Sequence, residues 1–130
     1  MPNELTLFHG ATGDEILSVI RERSMRPGRD GLVYFSEKFE DALQHGADTR
    51  RKASFAFKTV ITIPAGATVT RTAKQGNPLT VLVRTLTPLP ARLLEMYVRL
   101  GRVGAFELKT VPGIENIKSY LEGQTAAGAP

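Results

Sequence analysis

The chain has 130 residues, 42% of them hydrophobic, which is one ordinary domain with enough apolar content for a core and no room for a second. It has no cysteine, which excludes disulfides, thiolate metal sites and cysteine nucleophiles; with only His9 and His45 as imidazoles, a metal site is not expected. A formal charge of +4 and a pI near 9.7 suit a polyanionic partner without requiring one. No run has the apolar length of a membrane span, and "MPNELTLFHG" lacks the basic and then hydrophobic segments of a signal peptide, so a soluble domain with no membrane partner is expected.

The first half alternates strands and helices. Leu5 to His9 reads as a short strand, and Thr12 stands three residues before Glu15, the spacing of a capping box at a helix start. Ile16, Leu17, Val19 and Ile20 form the apolar face of that helix, and "SMRPGRDG" ends it with proline and glycine. "LVYFS" is the next strand. Ser36 can cap a further helix through Phe39, Ala42 and Leu43, with Glu37 and Glu40 in its first turn and a stop near Gly46.

From Phe55 the period changes to two. Phe55, Phe57, Thr59, Ile61 and Ile63 share one face of a core strand, and "PAG" turns the chain. "ATVTRTA" and "LTVLVRTL" read as two more strands joined by "KQGNP". Pro88 and Pro90 then precede an expected helix, in which Leu93, Leu94, Tyr97 and Val98 recur at helical spacing. "AFELKTV" is a last strand, "ENIKSYLEG" is a short helix or an edge strand, and residues 122–130 read as a frayed tail. No repeat, linker or heptad pattern is present, so one α+β domain with an antiparallel or mixed sheet is expected.

Three strand ends carry chemistry-bearing residues: "LFHGAT", "GLVYFS" and "AFELKTV". In that order, with a helix after each of the first two, they resemble the ADP-ribosyltransferase fold, in its diphtheria-toxin and poly(ADP-ribose)-polymerase branch. The resemblance rests on His9, Tyr34 and Glu107 and spans Leu5 to about Val111. It implies a split mixed or antiparallel sheet with flanking helices, and NAD as co-substrate.

The resemblance also implies roles. Glu107 would hold the nicotinamide-side ribose and stabilise the positive charge that develops when the nicotinamide bond breaks. His9 would bond the adenine-side ribose, with the alternative that it ends its strand by bonding a backbone carbonyl. The Gly10 backbone would approach the nicotinamide amide, and Tyr34 would stack on its ring while Phe35 points to the other face. In the family a threonine often follows the "HG" pair; here Ala11 intervenes before Thr12. Ser36 would contact the ribose or cap a helix. Arg26 and Arg29, in a loop that would cover the cofactor, are candidates for the pyrophosphate, with a solvated turn as the alternative. The run Arg50 to Lys52, with Arg21, Arg23, Arg99 and Arg102, reads as a basic surface or as ordinary solvated charge.

The acceptor is left open between a protein, which is slightly favoured, RNA or DNA, and a small molecule; NAD hydrolysis needs the same ribose activation. RNA 2'-phosphotransferases share the fold and the "HG" start but use a second histidine on a strand, whereas His45 is expected in a helix. Rifampicin-modifying transferases share a "YFT"-like strand but usually carry an aspartate as the acid. A compact transferase domain of this kind resembles bacterial polymorphic toxin domains, delivered by a dedicated secretion system into the cytoplasm of a competing cell and blocked by a cognate immunity protein. A protein that is not a toxin would be cytoplasmic, and a catalytically silent binding module is the reading from another class.

Overall fold

The architecture comes from a computed structural model, which describes residues 3–72, 80–102 and 105–127. Strand β1 (Glu4–Ala11) leads into helix α1 (Gly13–Glu22), and the expected cap is present: Thr12 is the N-cap, its hydroxyl accepting the Glu15 amide at 3.3 Å. Arg23 closes α1 in the left-handed conformation. The "SMRPGRDG" stretch does not begin as a loop, because Ser24–Met25 forms a two-residue strand, β2. Strand β3 (Leu32–Ser36) and the short helix α2 (Phe39–Leu43) follow, then β4 (Ala47–Asp48), β5 (Ala53–Thr62), β6 (Thr68–Thr72) and β7 (Thr80–Arg84). The expected turn "KQGNP" lies outside the described residues. The N-cap of α2 is Lys38, with no side-chain bond, so Ser36 does not cap this helix.

The expected helix over Leu93 to Val98 is a strand. β8 (Leu89–Arg102) runs as one extended element, followed by β9 (Ala105–Pro112) and helix α3 (Ile114–Ala127). Leu89, Ala91 and Leu93 are buried on one phase of β8, and Met96 and Val98 on the other. The phase changes because Thr59 faces Leu93 while Lys58 faces Glu95, leaving Leu94 as the extra residue of a bulge. A two-residue period interrupted by one slip puts apolar residues at positions 93, 94, 97 and 98, which is also the spacing of a helix. α3 settles the "ENIKSYLEG" alternative as a helix and continues to Ala127, into the stretch expected as a tail.

The result is a mixed α+β domain whose sheet has the order β2-β8-β5-β1-β3-β7-β6, with β4 added on β5 and β9 on β8. Every strand pairing among the described residues is antiparallel. Ile16 and Val19 of α1 and Ile117 and Leu121 of α3 pack against Leu7, Phe55, Phe57, Ile61, Met96 and Val98 in the main core. Successive residues of a strand face opposite sides, so Phe8, Ala56 and Tyr97 point the other way, where Ala42 and Leu43 of α2 cover them and Phe39 stacks on Tyr97 at 4.4 Å. The sheet therefore has an α1/α3 face and an α2 face.

Candidate functional site

β1 is paired very unequally along its two edges. All eight of its residues pair with β5, from Glu4 opposite Thr62 to Ala11 opposite Phe55, whereas β3 meets it at one pair, Phe8 opposite Ser36. Beyond that pair the two strands diverge, and His9 stands at the split. Its ring packs against Phe35 and Phe57, with centroids 5.6 and 5.5 Å away.

The hydrogen bonding of His9 fixes its tautomer. A carbonyl only accepts, so the 2.6 Å contact with the Tyr34 carbonyl oxygen means that Nδ1 carries the hydrogen and donates. Burial is the main influence on the imidazole and lowers its pKa below the ordinary histidine value, against the Tyr34 bond and the Glu15 charge, which raise it. Nε2 of the neutral ring is left as an acceptor, suited to a hydroxyl. The expected alternative, a histidine bonded to a backbone carbonyl, is thus found, and it uses one of the two ring nitrogens.

His9 is a lining residue of two cavities. On the α2 face a cavity of about 330 Å³ is lined by Phe8, Gly10, Tyr34, Ser36, His45 and Thr80, with His9 and Phe35 in its floor. On the α1 face a cavity of about 200 Å³ has His9 beside Glu15, Ser18, Glu22, Ser24 and Arg26. The structure thus brings His9, Gly10, Tyr34, Phe35 and Ser36 together, with Arg26 across the split.

Each of these side chains has a local reason for its place. Tyr34 is half exposed while its neighbours Val33 and Phe35 are buried, the alternation of a strand with one covered face. Its hydroxyl donates to the Asp30 carboxylate at 3.0 Å; that bond raises the Tyr34 pKa, and the Leu32 amide followed by Tyr34 lowers that of Asp30. Ser36 is buried between Phe8 and Thr80, and its hydroxyl makes no hydrogen bond among the described residues. Arg26 is exposed and pairs with Glu22 at 3.0 Å.

Gly10 lines the α2-face cavity, and its missing side chain has a packing role as well: a Cβ there would collide with the Ala42 carbonyl oxygen and approach the backbone of His45 and Gly46. Thr12 is committed to its helix cap and lines neither cavity.

Glu107 is not brought to His9. It is exposed on β9 opposite Leu100, and β9 is three strands from β1 in the sheet. The register runs from His9 to Phe57, Met96 and Val111, four residues from Glu107. At ~4.8 Å per strand and ~3.3 Å per residue, the separation is roughly 15–20 Å. No carboxylate is among the described residues lining the α2-face cavity. Sequence reading missed His45 and Thr80 as lining residues. Thr80 is placed by its pairing with Ser36, and His45 by the turn after α2 that the Gly10 contact holds, and neither carries a local sequence signal.

Within the basic run only the Arg51 side chain is buried, while Arg50 and Lys52 are exposed. Arg50 bonds Asp14 at 2.9 Å, and Arg51, with a buried side chain, bonds Asp14 and Asp48, both at 3.3 Å. Asp48 is buried, which raises its pKa, but the Gly13 and Arg51 amides and the Arg51 charge bring the net shift below the ordinary carboxylate value. These arginines tie β4 to the start of α1. Among the described residues no group of acidic and histidine side chains is placed to hold a metal, and no helix is long and apolar enough to cross a membrane. No family model matches the chain, and no curated protein or solved structure matches it.

Proposed function

We propose that the chain binds NAD across the split between β1 and β3 and acts as a mono-ADP-ribosyltransferase. The observation that carries this reading is the split itself, where His9 lines both cavities, bonds the Tyr34 carbonyl through Nδ1 and keeps Nε2 as an acceptor, while the exposed Tyr34 ring lines the α2-face cavity. In this reading the nicotinamide lies against Tyr34, a ribose hydroxyl donates to Nε2 of His9, and the Ser36 and Thr80 hydroxyls contact the nicotinamide-side ribose. Arg26 would exchange Glu22 for the pyrophosphate. The bond from the ribose to nicotinamide breaks with its electron pair leaving on the nicotinamide, the acceptor nucleophile bonds to the ribose carbon, and the acceptor's proton goes to solvent. Glu107 is the carboxylate that the resemblance assigns to the oxocarbenium-like charge, and the reading requires it to come closer to the split than the roughly 15–20 Å that separates it from His9. The acceptor is a macromolecule, protein or nucleic acid, and the setting is that of an effector delivered into a competing cell and restrained by an immunity protein.

One observation favours a second reading. The α2-face cavity has no carboxylate among its described lining residues and Glu107 stands on β9, as suits a module that binds NAD without cleaving it.

Calorimetric NAD binding and nicotinamide release, measured on the protein and on Glu107→Gln, separate the two. Release that Glu107→Gln loses while keeping its affinity supports the transferase reading. Binding without release supports the second reading, and no binding sinks both. If NAD is cleaved, labelled NAD in a lysate followed by nuclease or protease identifies the acceptor.

A further inference from the structure

A second site lies on the outer side of β8. There β2 pairs with Leu89 and Pro90, and β9 begins to pair at Glu95, so residues 91–94 have no strand partner on that side among the described residues. α1 and α3 stand on either side of this gap and leave a cavity of about 800 Å³ between them. Its floor is Ala91 and Leu93, and its walls are Leu17 and Ile20 of α1 and Ile114 of α3.

The rim is strongly charged. Arg21, Arg23, Arg92 and Lys118 border it, with Glu115 and Glu122 on the α3 side. None of these four cations has an ion pair or a side-chain hydrogen bond among the described residues, whereas Arg26, Arg50, Arg51, Lys58 and Arg71 are all paired. Unpaired cations around an apolar floor call for an occupant with an apolar stripe and acidic flanks.

The backbone decides what form that occupant takes. The Ala91 amide donates to the Arg23 carbonyl and the Leu94 carbonyl accepts the Gly113 amide, so both ends of the open stretch are already bonded and an added strand would find little to pair with. The gap of four residues is ~13 Å long at ~3.3 Å per residue, close to the ~10–12 Å diameter of a helix with its side chains.

We propose that this groove docks an acidic amphipathic helix of a partner protein, whose apolar face covers Leu17, Ile20, Leu93 and Ile114 and whose carboxylates face Arg21, Arg23 and Arg92. The site lies apart from the split and does not depend on the NAD reading.

The test is titration of the isotope-labelled protein, followed by amide NMR, with a synthetic helical peptide carrying leucines on one face and glutamates on its flanks. The same peptide with lysine flanks and dodecanoate serve as controls. The acidic peptide is expected to shift the amides of Leu17, Ile20 and Ile114. Its affinity should fall at least about tenfold in the Arg21→Glu/Arg92→Glu variant, and likewise in the unmodified protein when salt is raised to screen exposed charges. The lysine peptide should not bind. Equal binding of both peptides, shifts that map elsewhere, insensitivity to salt, or a groove taken by dodecanoate and refused by the acidic peptide would each overturn the proposal. The salt comparison needs no variant, so misfolding of the double variant leaves the test intact.

Discussion

The two edges of β1 show how one strand can serve stability and access at once. Toward β5 it is fully paired and backed by the buried rings of Phe55 and Phe57; toward β3 it is joined at Phe8 and Ser36, and His9 bridges the split through one hydrogen bond. The closed edge holds the fold together, and the open edge leaves polar groups within reach of a ligand. Substitutions on the two sides should therefore separate loss of folding from loss of binding.

The largest effect is expected on the closed side. Phe57→Ala removes a fully buried ring and should lower the unfolding free energy by about 3–5 kcal/mol in urea titrations, taking binding with it. A decrease under about 1 kcal/mol would mean that the closed edge is not where the stability lies. Gly10→Ala follows, at about 1–3 kcal/mol, because the new methyl meets the Ala42 carbonyl oxygen and the chain after α2 has to move. A neutral Gly10→Ala variant would show that this chain yields easily.

His9 joins the two edges, and its effect depends on pH. Its folded pKa lies below the ordinary value, so the unfolded chain binds the proton more tightly. The stability it contributes is complete above an unfolded pKa of about 6.5 and is lost as pH falls from there through the lowered folded value. Unfolding midpoints measured from pH 7.5 to 5 should decline, and His9→Asn should flatten that decline. An equal slope in both proteins would remove His9 from the account. Protonation also converts Nε2 from acceptor to donor, so NAD affinity should weaken over the pH range in which the folded ring titrates.

The smallest stability effect belongs to the open side. Tyr34→Ala removes a half-exposed ring bonded to an exposed carboxylate and should change stability by no more than about 0.5 kcal/mol. The same change should weaken NAD binding at least about tenfold on the proposed reading. Unaltered affinity in a folded Tyr34→Ala protein would take the nicotinamide away from this ring.

Much of this was legible because its signals are local. The Thr12 cap, the face of α1 and the alternation in β3 and β5 each depend on neighbours a few residues apart. β8 was misread for a physical reason: a bulge at Leu94 shifts a two-residue period by one, and the resulting spacing imitates a helix. The packing role of Gly10 was not legible because its cause, the Ala42 carbonyl, is 32 positions further along the chain.

The sequence by itself determined the class of the domain, the strand that presents Tyr34 and buries Phe35, and the position of Ser36 at a strand end, whereas β1 continues past His9 to Ala11; capping, alternation and turn chemistry act over short range. Only the tertiary structure decided that β1 and β3 part after a single pair, that Arg51 turns inward to Asp48 while Arg50 pairs with Asp14 at the surface, and that Glu107 stands three strands from His9. Those outcomes depend on strand order and on which edge is left unpaired, and both are set by contacts between residues far apart in the chain.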